Sequence, residues 1–391
     1  MTGLSIPHEG LDFEPATAPR RRGRRAAAMI IAALILLSAF VVAAPYLSNG
    51  LKQGYSFVSM LEGGLGTSAT GSGNPNVGFV TSTNCSSVVS TGQLSSPDIY
   101  GSTAAVSYPS DYCVLADYAL GLINSDRAAN GSAPVSLDYN QAAQQHSDSM
   151  LYYGYFAHYD VQGYKPYMRY SLLGGLGADS ENVAYLSYSL PHYASTSAVE
   201  QAVKFLEHSM VYNDAGCCNN GHRYNILDPL HNYVSIGVSY NSTHVFFDEE
   251  FENDYIALNF TATGPTASNP YYVTMRGVPL AGTPKPNSVL IGFDGTPTPQ
   301  TVSQLNADPH EYGPGTLVGG VLPPSGFFGC GQFTTGTTVC ADNWTFTSGS
   351  VYISFSLEPF IKNYGPGVYT VYLITGSTTD SSLTTISVFV H

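Results

Sequence analysis

A chain of 391 residues with 43% hydrophobic content is long enough to bury the cores of two ordinary domains, with length left over for linkers. Only 11% of the residues are charged, against about 25% in a typical soluble domain, so the polarity comes from Ser, Thr, Asn, Gly and 29 Tyr. The net charge of −14 conceals a basic N-terminus: beyond Arg25, nine basic residues face 25 acidic ones, which excludes a Lys/Arg surface for a phosphate backbone and with it a nucleic-acid partner.

Residues 1–25 read as a cytoplasmic tail ending in Arg20, Arg21, Arg22, Arg24 and Arg25. These abut AAAMIIAALILLSAFVVAA, residues 26–44, closed by Pro45. Nineteen uncharged, mostly apolar residues approach the length of a membrane-crossing helix. The flanking arginines place the N-terminus in the cytoplasm and the remainder outside. Residues 26–45 are therefore expected to be a single-pass signal-anchor at the cell membrane. The rival is a signal peptide cleaved after VVAA, which would make the protein secreted. Residues 46–110, rich in Gly, Ser, Thr and Asn, read as a stalk.

From residue 114 the pattern changes. VLADYALGLINSDRAANG places Leu115, Tyr118, Ala119, Leu122 and Ile123 at helical spacing, stopped by Asn130-Gly131. LDYNQAAQQHSDSMLYYG predicts a second helix, capped by Asp138 and ended at Gly154. A third covers 198–210, and GHRYNIL gives a further turn before Asp228-Pro229. YVSIGVSYN and HVFFDEEF alternate as two strands joined at Asn241-Ser242. Helices followed by a strand pair predict an α+β layered domain over 111–260. From about 265 only short strands remain (VLIGF, WTFTS, VYISFSL, GVYTVYLI, TTISVFV). They predict a β-sandwich of immunoglobulin-like type over 265–391.

All six cysteines and five Asn-X-Ser/Thr sequons (Asn84, Asn130, Asn241, Asn259 and Asn343) follow the apolar segment, consistent with an oxidising exterior and glycosylation. Cys330 and Cys340 flank a Gly/Thr-rich turn and are expected to bridge it. Adjacent cysteines rarely bridge each other, so Cys217 and Cys218 are expected to pair with Cys85 and Cys113, in an order the sequence leaves open. A cysteine metal site lacks CxxC spacing. Sparse charge predicts tolerance of an acidic medium, because few paired carboxylates need protonating.

Three segments carry candidate chemistry: GYFAHYD with His158, SENVAYL with Glu181, and GHRYNIL with His222. With LINSDRAANG, LDYNQAAQQHSDSM and IGVSY, and in this order, they resemble the CAP superfamily (cysteine-rich secretory proteins, antigen five, pathogenesis-related proteins) in its prokaryotic form. The resemblance spans roughly 114–255. It implies an α-β-α sandwich whose central cleft holds two histidines and two acidic residues, with zinc bound there in some members. Carried onto this chain, it puts His158, Glu181 and His222 in the cleft. Glu207, in FLEHSM, takes the second acidic place, although the Trp that precedes it in eukaryotic relatives is missing here. His158 and His222 are the expected metal ligands, since neutral imidazoles suit zinc and similar ions. The competing role for all four side chains is a hydrogen-bonded network that shapes the cleft.

Other residues are assigned structural roles. His146 reads as a core histidine, Arg223 as a helix cap, and the Asp248-Glu249-Glu250 run, which lacks EF-hand spacing, as a solvated strand edge. Three functions follow. The first is a membrane-anchored extracellular binding module, whose cleft takes a divalent metal, a lipid-like molecule or a cell-envelope glycan, with the second domain as spacer or adhesive unit. The second is a zinc-assisted hydrolase with a glutamate as general base. GxSxG and HExxH are both absent from the sequence. The third is a structural protein of the cell envelope.

Overall fold

The first helix follows from the spacing of its apolar residues. In α1 (Tyr112–Ala129), Leu115, Ala116, Ala119 and Ile123 lie on one face and are fully buried, as the 3.6-residue period requires. Arg127 near its end is buried too, and its guanidinium donates to the carbonyls of Ala133, Ile226, Asp228 and His231. A buried cation is tolerated when its donors are met in this way. The structure is a computed structural model that describes residues 85, 109–138, 140–193, 195–263, 271–307, 312–325, 330–331 and 336–391. The basic tail, the expected signal-anchor at 26–45, nearly all of the stalk and the Asn84 sequon lie outside the described residues. Among the described residues no helix is long and apolar enough to cross a membrane.

After α1 come β1 (Ser136–Leu137), α2 (Ala142–Tyr153), α3 (Pro166–Leu172), β2 (Ala178–Ser187), α4 (Thr196–Tyr212), α5 (Ala215–Cys218), α6 (Gly221–Ile226), β3 (Tyr233–Tyr240) and β4 (His244–Asn253). Asp138 does not cap α2 directly. It accepts from the Asn140 amide, and the Asn140 side chain accepts from Ala142, so two short turns delay the helix. Gly154 then ends α2 in the left-handed region, with φ 73°, where glycine is unstrained.

The four strands form a sheet in the order β1-β3-β4-β2. β1 runs parallel to β3 and the other pairs are antiparallel. Val234, Ile236, Val238, Val245, Phe247 and Phe251 cover one face and pack against α1 and α4. On the other face Val183 and Phe246 meet Met150 of α2. The result is three layers, α-β-α. α2 approaches β3 so closely that a Cβ on Gly237 would lie 2.1 Å from the Ala143 carbonyl oxygen. Asp248, Glu249 and Glu250 are not a solvated edge: β4 runs between β3 and β2, and all three are fully buried.

The rest of the chain is mostly β: β5 (Ile256–Thr263), β6 (Tyr272–Pro279), β7 (Ser288–Asp294), α7 (Val302–Ala307), β8 (Thr316–Leu322), β9 (Thr337–Cys340), β10 (Asn343–Thr347), β11 (Ser350–Ser356), α8 (Glu358–Tyr364), β12 (Gly367–Ile374) and β13 (Ser382–Val390). They form two sheets, β10-β11-β6-β5 and β13-β12-β7-β8-β9. Val273, Met275, Ile353 and Phe355 of one pack with Ile291, Val371, Leu373 and Ile386 of the other in a single core. β5 begins at Ile256 and pairs with β6, so this sheet starts inside the stretch expected to close the layered domain.

Cys330 and Cys340 are bridged, as expected. The other expected pairing is overturned: Cys85 bridges Cys113, and Cys217 bridges Cys218. Cys113 at the start of α1 lies 5.7 Å, Cα to Cα, from Cys85, which leaves the adjacent pair on α5 to each other. Of the described sequons, Asn130, Asn241 and Asn259 are exposed. The Asn343 amide donates to Tyr352 and Ser354 hydroxyls.

Candidate functional site

His158 lies in the loop between α2 and α3, and its Nδ1 is 2.8 Å from Glu181 Oε1 on β2. Arg169 on α3 donates to the other oxygen of Glu181 and also to the carbonyls of His158, at 2.8 Å, and Tyr164, at 3.1 Å. One buried guanidinium thereby fastens the loop to the strand. The Glu181 side chain is completely enclosed, whereas that of His158 is 13% exposed. Burial, reinforced by the nearby His222 and Arg169, holds His158 down to about 3. The ring is therefore neutral. With Glu181 as acceptor, Nδ1 carries the proton and Nε2 the lone pair. Burial also pushes Glu181 up to about 7, with Arg169 pulling the other way. The ring of Tyr312, from the segment before β8, packs on His158 with centroids 4.9 Å apart, and its hydroxyl accepts from the Glu181 amide.

His222, on α6, is built in the same way. Its Nδ1 lies 2.7 Å from Asp214 Oδ1, and the side chain is 17% exposed. Asp214 Oδ2 accepts from the Arg223 amide at 3.1 Å. Burial works against the Asp214 charge, but the hydrogen bonds from His222 and Arg223 hold the carboxyl below its ordinary value. The His222 carbonyl accepts from Asn182, at 3.4 Å, whose amide also donates to Glu249 at 3.1 Å. Glu207 is only 1% exposed. Burial, followed by the nearby Glu249 charge, pushes its carboxyl well up.

The structure thus brings His158 and Glu181 into contact, with His222 within electrostatic reach of His158. Glu207 lies near Glu249, which Asn182 links to the His222 backbone. His146 is enclosed, with Nε2 2.8 Å from the Ala157 carbonyl, as read from the sequence. Arg223 caps α4 through the Val211 carbonyl. Two partners escaped sequence reasoning: Asp214 and Arg169 both lie outside the three motifs that carry His158, Glu181 and His222.

Both imidazoles are oriented through Nδ1 by a carboxylate, and among the described residues neither Nε2 has a hydrogen-bond partner. That donor arrangement suits a transition-metal ion, with the carboxylates acting from behind the ring. The residues present fit a zinc-type ion on chemistry alone. Two clusters offer metal-ligating atoms within 4.8 Å of one another: Asp214, Cys217, Cys218 and His222, and the buried His146, Glu181 and Asp248.

Residues 120–260 match the family model described as Cysteine-rich secretory protein family, CAP. This segment is a CAP domain. Two solved structures are similar to the chain. One is an extracellular protein containing an SCP domain from Bacillus anthracis str. Ames, 19% identical over 36% of this chain and 41% of that one, with TM-score 0.27. The other is the CAP domain of enterococcal PrgA, 15% identical over 37% of this chain and 62% of that one, with TM-score 0.26. The chain therefore spans less than two thirds of either. No curated protein matches the sequence.

Proposed function

We propose that this is a membrane-anchored extracellular CAP-domain protein whose His158/His222 hollow binds a small ligand. A divalent transition metal is the ligand best matched to its donors. The observation that carries the reading is the repeated unit of imidazole and carboxylate, His158 with Glu181 and His222 with Asp214. In each, a carboxylate holds the Nδ1 proton and leaves Nε2 for a ligand. Glu181 and Glu207 are too enclosed to reach that ligand themselves and act through the rings and the sheet. The arginines before residue 26 support the anchor, and the exposed Asn130, Asn241 and Asn259 support glycosylation. The β-sandwich serves as a spacer or adhesive unit, and Tyr312, from the segment before β8, packs on His158.

A hydrolase reading draws on Glu181, which burial lifts to about 7, a value suited to a general base. Arg169 and His158 occupy both of its oxygens, however, and among the described residues no cysteine is free as a nucleophile. Purified protein assayed against peptide, ester and glycan libraries, with and without Zn²⁺, separates the readings. Retention of a ligand without turnover, lost in His158→Ala/His222→Ala, supports the binding module. Turnover that the double variant loses supports the hydrolase and overturns it.

A further inference from the structure

His222 has a second set of neighbours, on its Nδ1 side. Asp214, Cys217, Cys218 and His222 offer one carboxylate oxygen, two sulfurs and one imidazole nitrogen, all within 4.8 Å of one another. Four ligands on a tetrahedral ion with bonds of about 2.0–2.3 Å lie roughly 3.3–3.8 Å apart, so small adjustments bring these atoms onto one ion. The geometry is local and enforced. Asp214 leads into α5, the two cysteines end it, and Asn219 and Asn220 turn the chain back with φ values of 50° and 64°. Two consecutive non-glycine residues in the left-handed region are uncommon and mark a conformation that the surroundings impose. Their effect is to return His222 to Asp214 eight residues later. Cys217 is exposed and Cys218 partly so, and both are therefore within reach of a reductant and of an ion. The missing CxxC spacing is no obstacle, because the turn supplies the proximity that the spacing would otherwise provide.

We propose that Asp214, Cys217, Cys218 and His222 form a second, redox-gated metal site, which takes one soft or borderline ion such as Zn²⁺ when the Cys217–Cys218 disulfide is reduced. The reductant is a thiol. Two external thiols give up two electrons and two protons to the disulfide and leave as their own disulfide, yielding the Cys217 and Cys218 thiols. On loading, both thiols lose their protons to solvent, since only thiolates ligate. The proton on His222 Nδ1 moves to Nε2, so the ring stays neutral and Nδ1 becomes the ligand. The ion then sits where the Nδ1–H···Oδ1 proton lies in the disulfide form. This site uses the nitrogen that the hollow does not, and filling it converts the hollow-facing Nε2 from an acceptor to a donor. Loading here therefore weakens ligand binding through His158 and His222.

Cobalt spectroscopy on the full protein tests this. The protein is reduced, freed of reductant and titrated with Co²⁺. The expected result is one thiolate-ligated equivalent, with thiolate-to-cobalt charge-transfer absorption and loss of two reactive thiols. The band is absent from the unreduced protein and from Cys217→Ser/Cys218→Ser, and Asp214→Ala weakens binding at least tenfold. His158→Ala keeps the band, which separates this site from the hollow: that variant loses only binding through Nε2. Circular dichroism confirms that each variant is folded. Reduced wild type without a thiolate band, or a band that survives in the double serine variant, overturns the proposal.

Discussion

At the scale of single residues, Arg169 is the keystone of the His158 half of the site. It is fully buried, it meets Glu181, and it binds the carbonyls that shape the His158 loop. Removing one member of a buried ion pair strands the other charge and costs about 3–5 kcal/mol. Arg169→Met is therefore expected to lower stability by about that amount in chemical denaturation. Adding Glu181→Gln should recover part of the loss, because no carboxylate is then left unpaired. If the two losses simply add, the pair is not coupled as described. Arg127, whose guanidinium donates to backbone carbonyls and has no hydrogen-bonded carboxylate, should show less rescue, and only with an acid-to-amide change at the nearby Asp228.

At the scale of elements, β4 is the unusual part of the molecule. Asp248, Glu249, Glu250 and Glu252 are buried in mid-sheet. Glu250 lies opposite Glu181 and Glu252 opposite Asp179 on β2. Like charges directly opposite one another destabilise a sheet. These side chains are compatible with the fold because burial and like-charged neighbours favour the uncharged carboxyl, Asp179 beside Glu250 and Glu207 beside Glu249. Burial raises all of them, Glu250 to about 7. A raised carboxyl contributes stability that is complete below its unfolded value of about 4 and is lost as pH rises through the folded value. His158 and His231, both held near 3 by burial, act oppositely: their contribution is complete above about 6.5 and is lost as pH falls. The carboxyls outnumber them, so stability should be greatest near pH 4 and fall towards pH 8. Thermal melts are expected to give a higher Tm at pH 5 than at pH 8. Glu250→Gln should raise the pH 8 value by about 5 °C and leave the pH 5 value unchanged. A Tm that is flat or higher at pH 8 contradicts this.

At the scale of the whole molecule, the β-sandwich is docked onto the CAP domain at the His158 side. Asp294 accepts from Lys165 at 2.8 Å and from Tyr167 at 2.7 Å. Thr385 accepts from the Asp179 amide, and Ser382 from the Asn253 side chain. Asp294→Ala leaves a largely buried ammonium with the Gly313 carbonyl and the Tyr159 and Tyr167 rings but no carboxylate and should cost about 2–3 kcal/mol, read as a lower Tm. An unchanged Tm would mean that the two parts are joined by the chain alone. Much of this architecture was legible in the sequence. The apolar period of α1 and α4, the alternation of β3 and β4, and the three histidine and glutamate motifs are local signals, and local signals survive in one dimension. What was lost is tertiary. An acidic run reads as solvated until β2 is seen beside it. Asp214 and Arg169 become site residues only through a turn and a helix that bring them back. The Pro166 start of α3 was a readable signal, since proline suits the first turn of a helix, and it was overlooked.

The most direct test of the site is calorimetric titration of Zn²⁺ into unreduced protein, beside His158→Ala and His222→Ala. One-site binding in the wild type, abolished in each variant, is the predicted result. Equal heats in all three proteins would contradict a ligand held between the two imidazoles.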